Sequence, residues 1–249
     1  MHSVPQIIEY FHLAFLDVLR TRVDVSRYVV KGGANLRYFF DSVRYSEDID
    51  LDIYGLEADW KFEEQVDNTL SGDALTRLLR SAGITIDPAE IAKPKQTTTT
   101  RRWKVLLTAA GHSDKVRTKV EFSNRNGETR FQLDAVPDSV AAPYAMRPPS
   151  VQHYLLEPAT EQKVVALALR PETQARDVFD LDVLMRRGGL TPGAVDQDRR
   201  NTAAEAAVAL TWDDFQSQVA PFLDPAVAEL YDQVRWNQIQ DYVAGELLK

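Results

Sequence analysis

The stretch YVVKGGANLRYFFDSVRYSEDIDLDI, residues 28–53, decides how this chain folds. Tyr28, Val29 and Val30 form a short β-prone run. Lys31, Gly32 and Gly33 interrupt it, and the following segment places Leu36, Phe39 and Phe40 on one side of a helix. The stretch ends in a strict polar/apolar alternation, Asp48 to Ile53. Side chains two apart on a strand share a face, so Asp48, Asp50 and Asp52 are expected to line one face, and Ile49, Leu51 and Ile53 the other. Carboxylates in a row repel one another, and strands are normally poor in Asp. A hard divalent cation such as Mg²⁺ offsets that cost, because it takes carboxylate oxygens and keeps positions free for phosphate oxygens. The Gly-Gly turn opening a helix presents backbone N–H groups and a positive helix end, which suits an anion. The competing reading of the acids alone is an edge strand with a solvated acidic face.

The pattern Lys31-Gly32-Gly33, Leu36, Arg44, Ser46, Asp48 and Asp50 is K-G-G-x-x-L followed by R-x-S-x-D-x-D. A glycine turn, a helix and Asp-x-Asp on a strand resemble the nucleotidyltransferase β-polymerase-like superfamily. The fuller string resembles the narrower AbiEii/AbiGii toxin family, the nucleotidyltransferase toxins of AbiE- or MenAT-type toxin–antitoxin pairs. The resemblance implies that Asp48 and Asp50 are a metal pair for Mg²⁺, with Mn²⁺ a second option. It leaves Asp52 as a solvated acid or one standing behind the metal ligands. Lys31, Arg44 and Ser46 become phosphate-binding or positioning residues, with a structural salt bridge to Asp41 the alternative for Lys31 and Arg44.

The chain has 249 residues, 44% hydrophobic and 27% charged, as expected of one large or two small globular domains. It has no cysteine, which excludes disulfides, thiolate metal sites and cysteine nucleophiles. The formal net charge of −8 argues against a generally basic nucleic-acid surface but leaves room for a local basic patch. The N-terminus lacks a basic segment before its apolar residues, and no apolar run has membrane-spanning length, so a cytoplasmic protein without a membrane is expected.

Taken in order, residues 5–20 read as an amphipathic helix through Ile8, Phe11, Phe15 and Leu19, with Pro5 in its first turn. His2 and His12 have no partner at ligand spacing and read as exposed or capping residues. Residues 59–70 and 73–81 read as helices, 84–86 as a strand, and Pro88 to Thr100 as turn and loop. Residues 102–109 and 116–123 form two strands around a turn at Gly111–Asp114. On the second, Arg117, Lys119 and Glu121 share a face. An acid on a strand beside the Asp-x-Asp strand supplies the third ligand of a two-metal site, and the resemblance assigns that place to Glu121. The alternative is a metal-free surface pair with Lys119. Arg101, Arg102, Lys104, Arg117, Lys119 and Arg125, with Trp103 among them, fit either RNA backbone contact with base stacking or a charge-protected strand edge.

Phe131 to Val136 is a further strand, and the prolines at 137, 143, 148 and 149 mark a connection. Beyond it Thr160 reads as the N-cap of a helix with Lys163 in its first turn, where a cation opposes the helix dipole. In the resemblance that lysine holds the triphosphate. Asp177 and Asp180 lie on one helix face; one is expected to fix Lys163 and the other to contact substrate, with Asp177 preferred as the catalytic residue. The alternative for Asp177 is an acid stabilised at a helix N-terminus. Residues 201–210 read as a helix, Thr211 as a cap with Asp214, and Asp224-Pro225 as the start of one last helix with a broad apolar face.

The expected fold is α/β (α+β): a nucleotidyltransferase-like mixed sheet with helices over residues 1–147 and a helical C-terminal domain over 148–249. The resemblance implies catalysis by Asp48, Asp50, Glu121, Lys163 and Asp177, and nucleotide binding by Lys31, Gly32, Gly33, Arg44, Ser46 and Lys163. It implies NTP as substrate, RNA as acceptor with tRNA 3′ ends foremost, translation as the process blocked, and a cognate antitoxin. A protein-modifying nucleotidyltransferase and a non-catalytic NTP-binding member are the alternatives.

Overall fold

The computed structural model describes residues 2–53, 60–124 and 130–249, and the chain divides into two compact units. Arg125, one of the basic residues singled out above, lies outside the described residues. The first unit comprises residues up to Phe39 and Tyr45–Tyr154. The second takes the short segment Phe40–Arg44 and everything from Leu155. The boundary therefore follows Tyr154, where 147/148 was expected, because Ser150–Tyr154 forms a strand of the first unit's sheet.

In the first unit, α1 (Val4–Leu19) begins at a capping box between Ser3 and Gln6, with Pro5 in the first turn. Ile8, Phe11, Phe15 and Leu19 are buried, as their spacing requires. Strand β1 (Tyr28–Lys31) runs directly into α2 (Gly32–Phe39), and β2 (Ile49–Ile53) follows. Next come α3 (Trp60–Leu70), α4 (Asp73–Ser81), β3 (Ile84–Ile86), β4 (Ala92–Gln96), β5 (Thr100–Ala109) and β6 (Val116–Asn124). The unit closes with β7 (Phe131–Ala135), α5 (Asp138–Ala141) and β8 (Ser150–Tyr154).

The strands form one mixed sheet in the order β3-β5-β6-β2-β1-β8-β7, with β4 also on β5. Strand β4 occupies part of the segment read as loop; its residues Ala92-Lys-Pro-Lys-Gln carry no apolar alternation, as suits an exposed edge. The central strands β2 and β6 run parallel, while β1 and β5 are antiparallel to their neighbours β2 and β6. Ile49, Leu51 and Ile53 of β2 and Val116, Val120 and Phe122 of β6 point into one core with Phe11, Phe15 and Leu16 of α1. Trp103 lies in that core, fully buried, and its indole N–H donates to Asp67 at 2.8 Å. It therefore cannot serve as the base-stacking platform considered above.

The second unit is helical: α6 (Leu156–Leu169), α7 (Ala175–Met185), α8 (Gln197–Ala209), α9 (Trp212–Gln218), α10 (Pro225–Ala228) and α11 (Gln233–Leu247). Its core gathers Val164, Leu167, Val178, Leu181, Ala203, Phe215, Trp236 and Val243. The capping box of Thr211 with Asp214 is present. The apolar run after Pro225 is not one helix; Asp232 caps a new start at Gln233, and Leu230 and Val234 of the expected apolar face are exposed. Helix α6 starts four residues before the Thr160 cap read from sequence. Glu157 and Pro158 in its first turn are the true start signals. Thr160 is buried inside the helix and donates to the Leu156 carbonyl. Gly189 allows its close approach, since a Cβ there would fall 2.2 Å from Thr160 Oγ1. Lys163 thus sits about two turns inside the helix, and the argument from an opposed dipole does not apply to it.

Candidate active site

The register of the sheet brings the first-unit residues together. Asp50 pairs with Lys31 on β1 and with Glu121 on β6, so one row across three strands carries Lys31, Asp50 and Glu121. Asp48 stands just before β2. Its carboxylate accepts from the Lys119 backbone N–H at 3.1 Å, and the Lys119 ammonium lies 2.8 Å away. The Ser46 hydroxyl donates to the Asp48 carbonyl at 2.7 Å, which shapes the chain entering the strand.

A buried relay holds the same segment from beneath. The Thr118 hydroxyl donates to the Glu47 carbonyl at 2.8 Å, so its oxygen accepts from His12 Nε2–H at 2.9 Å. His12 is buried and neutral, its pKa lowered to about 3 by desolvation. The exposed or capping role read from sequence is therefore incorrect: the helix face of α1 that packs on β6 includes it.

Gly32 has φ +64°, a conformation that glycine adopts without the Cβ penalty, and it opens α2 beside Asp50. A Cβ at Gly32 would stand 3.4 Å from Asp50 Oδ2. The turn thus places the helix start against the carboxylate row, with Gly33 in the first helical turn.

Of the two places open to Asp52, the structure excludes the solvated one. It is 2% exposed, and its carboxylate accepts from Lys31 Nζ at 2.5 Å and from the Tyr154 hydroxyl at 2.7 Å. It is buried and holds Lys31. Lys31 and Arg44 do not pair with Asp41, whose partner is Arg187 at 3.0 Å.

The electrostatics of the row fit a hard cation. Asp50 is partly buried and, among the described residues, its side chain forms no hydrogen bond or ion pair. Burial raises its pKa, the Lys119 and Lys31 ammoniums oppose that rise, and Asp48 and Glu121 add to it. Burial works against the Lys119 ammonium, yet Asp50 and Asp48 hold its pKa above the ordinary lysine value. Glu121 is held by Arg102 at 2.5 Å. As they stand, no three His, Asp or Glu groups among the described residues converge at metal-holding separations. Two of the carboxylates rest on cationic side chains instead. The donor set of carboxylate oxygens, one of them unsatisfied and unwillingly charged, nevertheless suits Mg²⁺ or Mn²⁺.

In the second unit Lys163 forms a buried ion cluster. Its ammonium lies 2.8 Å from Asp177 and 2.6 Å from Asp180. Arg44 reaches Asp180 through two nitrogens, at 2.8 and 3.1 Å, and Arg170 lies 3.2 Å from Asp177. Both carboxylates are fully buried, so Asp177 and Asp180 alike position Lys163, rather than one fixing it and the other standing open to substrate. Asp177 is also in the first turn of α7, where the dipole favours an acid. Burial works to raise the Asp180 pKa, but Arg44 and Lys163 outweigh it and hold it below the ordinary carboxylate value. For Lys163 burial opposes the charge, while Asp177 and Asp180 keep its pKa raised. Sequence reasoning missed the Arg44–Asp180 pair because its members are far apart in the chain.

A mixed sheet carrying a Gly-Gly turn and carboxylates on adjacent strands defines a nucleotidyltransferase-type domain. The family described as nucleotidyl transferase AbiEii toxin, type IV TA system, matches residues 15–248. The chain belongs to that family of toxin–antitoxin nucleotidyltransferases. Two solved Helicobacter pylori chains share its fold. JHP933 is 17% identical with a TM-score of 0.61, covering 100% of this chain and 93% of its own. A putative nucleotidyltransferase is 17% identical with a TM-score of 0.64, covering 100% and 96%. MenT4, a nucleotidyltransferase toxin from Mycobacterium tuberculosis, is 14% identical with a TM-score of 0.49, covering 98% and 94%. No curated protein sequence matches the chain. Among the described residues no helix is long and apolar enough to cross a membrane.

Proposed function

We propose that this toxin-family nucleotidyltransferase transfers a nucleotidyl group from an NTP to RNA, with the 3′ end of tRNA as acceptor, and so blocks translation. The observation that carries the reading is the parallel register of β2 on β6, which sets Asp50 directly opposite Glu121 with Asp48 at the strand entrance. In the reaction an acceptor hydroxyl oxygen bonds to the α-phosphorus, the bond to pyrophosphate breaks, and the hydroxyl proton is lost. Asp48, Asp50 and Glu121 are the residues that would hold Mg²⁺ or Mn²⁺, which when bound supplies Lewis-acid polarisation and charge neutralisation.

The chain's own groups do the rest. The Gly32-Gly33 turn offers backbone N–H groups at a helix start for phosphate oxygens. Lys163 carries the charge assigned to the triphosphate, and Asp177 and Asp180 keep it protonated and in place. Lys31 and Arg44, both engaged by carboxylates, act by positioning, and Ser46 orients the segment that bears Asp48. An antitoxin encoded as a partner follows from the family.

The test is incubation of the protein with divalent metal, total tRNA and each of four radiolabelled NTPs. Label on tRNA, lost when the terminal ribose has been oxidised with periodate, is the expected result. Label on protein instead of RNA would overturn the acceptor and favour a protein-modifying enzyme. Absence of any NTP binding would overturn the catalytic reading.

A further inference from the structure

Beside Asp48, on the outer face of the β5–β6 hairpin, lies a cavity of about 400 Å³ whose lining includes Asp48, Lys104, Leu106, Arg117 and Lys119. The pairing of the two strands sets Lys104 directly opposite Lys119, with Arg117 opposite Leu106. Like charges facing each other across a strand pair destabilise it, so the sequence here works against the stability of the sheet. The acids that share this cavity do not balance the cations. Glu90 is taken by Lys115 and Asp48 by Lys119, and Glu47 is engaged elsewhere. The side chains of Lys104 and Arg117 are exposed and, among the described residues, have no hydrogen-bond or ion-pair partner. Two uncommitted cations next to the candidate catalytic acid stand out in a chain of net charge −8.

We propose that this cavity is the acceptor subsite, in which Lys104 and Arg117 bind backbone phosphates of the RNA strand whose terminal hydroxyl is presented near Asp48. The assignment rests on the RNA-directed reading above and deepens it. An anionic polymer is the occupant that charge complementarity selects, because the free charges are positive and lie diagonally across the β5–β6 pair on one face of it. The contact is to phosphate and not to bases: the one tryptophan of the hairpin, Trp103, is in the core on the opposite face. Affinity through this subsite is therefore tolerant of sequence and steeply dependent on salt.

The experiment compares the full-length protein with Lys104→Ala/Arg117→Ala, the charge-conserving Lys104→Arg/Arg117→Lys, and Lys249→Ala as a charge control. Unfractionated tRNA is the probe for transfer kinetics and for binding across a salt series, and a fluorescent NTP analogue reports nucleotide affinity separately. The expected result for the double alanine variant is a KM for tRNA raised about 10-fold, kcat within about 2-fold, unchanged NTP affinity, and a salt slope shallower by about 1.5. The charge-conserving variant and Lys249→Ala should keep the parental KM. A double alanine variant with parental KM and salt slope overturns the subsite while tRNA labelling by the parent protein leaves the RNA-directed reading standing. Parent protein that labels protein and no RNA overturns both.

Discussion

Asp180 and Arg44 form a buried two-nitrogen ion pair, at 2.8 and 3.1 Å, although 136 positions separate them in the chain. The pair does more than join distant segments: the other oxygen contacts of Asp180 include the Lys163 ammonium at 2.6 Å. Removing one member leaves a buried guanidinium without its bidentate acceptor, which costs about 3–5 kcal/mol. Urea unfolding of Asp180→Asn should show a loss of that size. Combining Arg44→Met with Asp180→Leu should recover part of it, because neither charge is then stranded. A double variant as unstable as the sum of the singles would contradict the coupling.

His12 gives the protein an acid limb. Its pKa is lowered from 6.5 to about 3 by burial, so the folded protein keeps it neutral while the unfolded chain takes up a proton below 6.5. Stability from this group is complete above pH 6.5 and is lost as pH falls toward 3. At pH 5 the loss amounts to about 2 kcal/mol. His12→Gln, which keeps a donor for Thr118, should show a flatter stability profile between pH 7.5 and 5 in denaturant titrations. Parallel profiles for the two proteins would contradict a buried neutral imidazole.

The two glycines of the turn should respond differently. Gly32 has φ +64°, whereas Gly33 is not among the residues with positive φ. Gly32→Ala should cost about 1 kcal/mol or more from backbone strain, lower the melting temperature, and weaken NTP binding by displacing the start of α2. Gly33→Ala carries no such conformational penalty, so its melting temperature should stay close to that of the parent. Equal losses in both variants would mean that the turn is sensitive to bulk and not to conformation.

The main strands and helices were legible because their signals are local. The alternation from Asp48 to Ile53, the spacing in α1 and the Thr211–Asp214 cap each need only neighbouring residues. Strand β4 was not legible, since an exposed edge strand of Ala92-Lys-Pro-Lys-Gln has no buried face to impose a pattern. Thr160 was misread because it is a good capping residue by type, but Glu157 and Pro158 begin the helix a turn earlier. The partners of buried charges were the hardest to read. Asp52 looks like a third surface acid until Lys31 and Tyr154 are seen to close over it. Arg44 likewise finds Asp180 only through the fold. Periodicity gives the face on which a charge lies, but its partner depends on which distant segments pack together.

Asp50 stands opposite Glu121 in the parallel pairing of β2 and β6, and its side chain has no hydrogen bond or ion pair among the described residues. The most direct measurement is the initial rate of label transfer from radiolabelled NTP to tRNA by the parent protein and by Asp50→Asn, with Mg²⁺ or Mn²⁺, after circular dichroism has confirmed that the variant is folded. The folded variant is expected to lose roughly 100-fold or more of the rate. A folded Asp50→Asn protein that transfers label at close to the parental rate would contradict it.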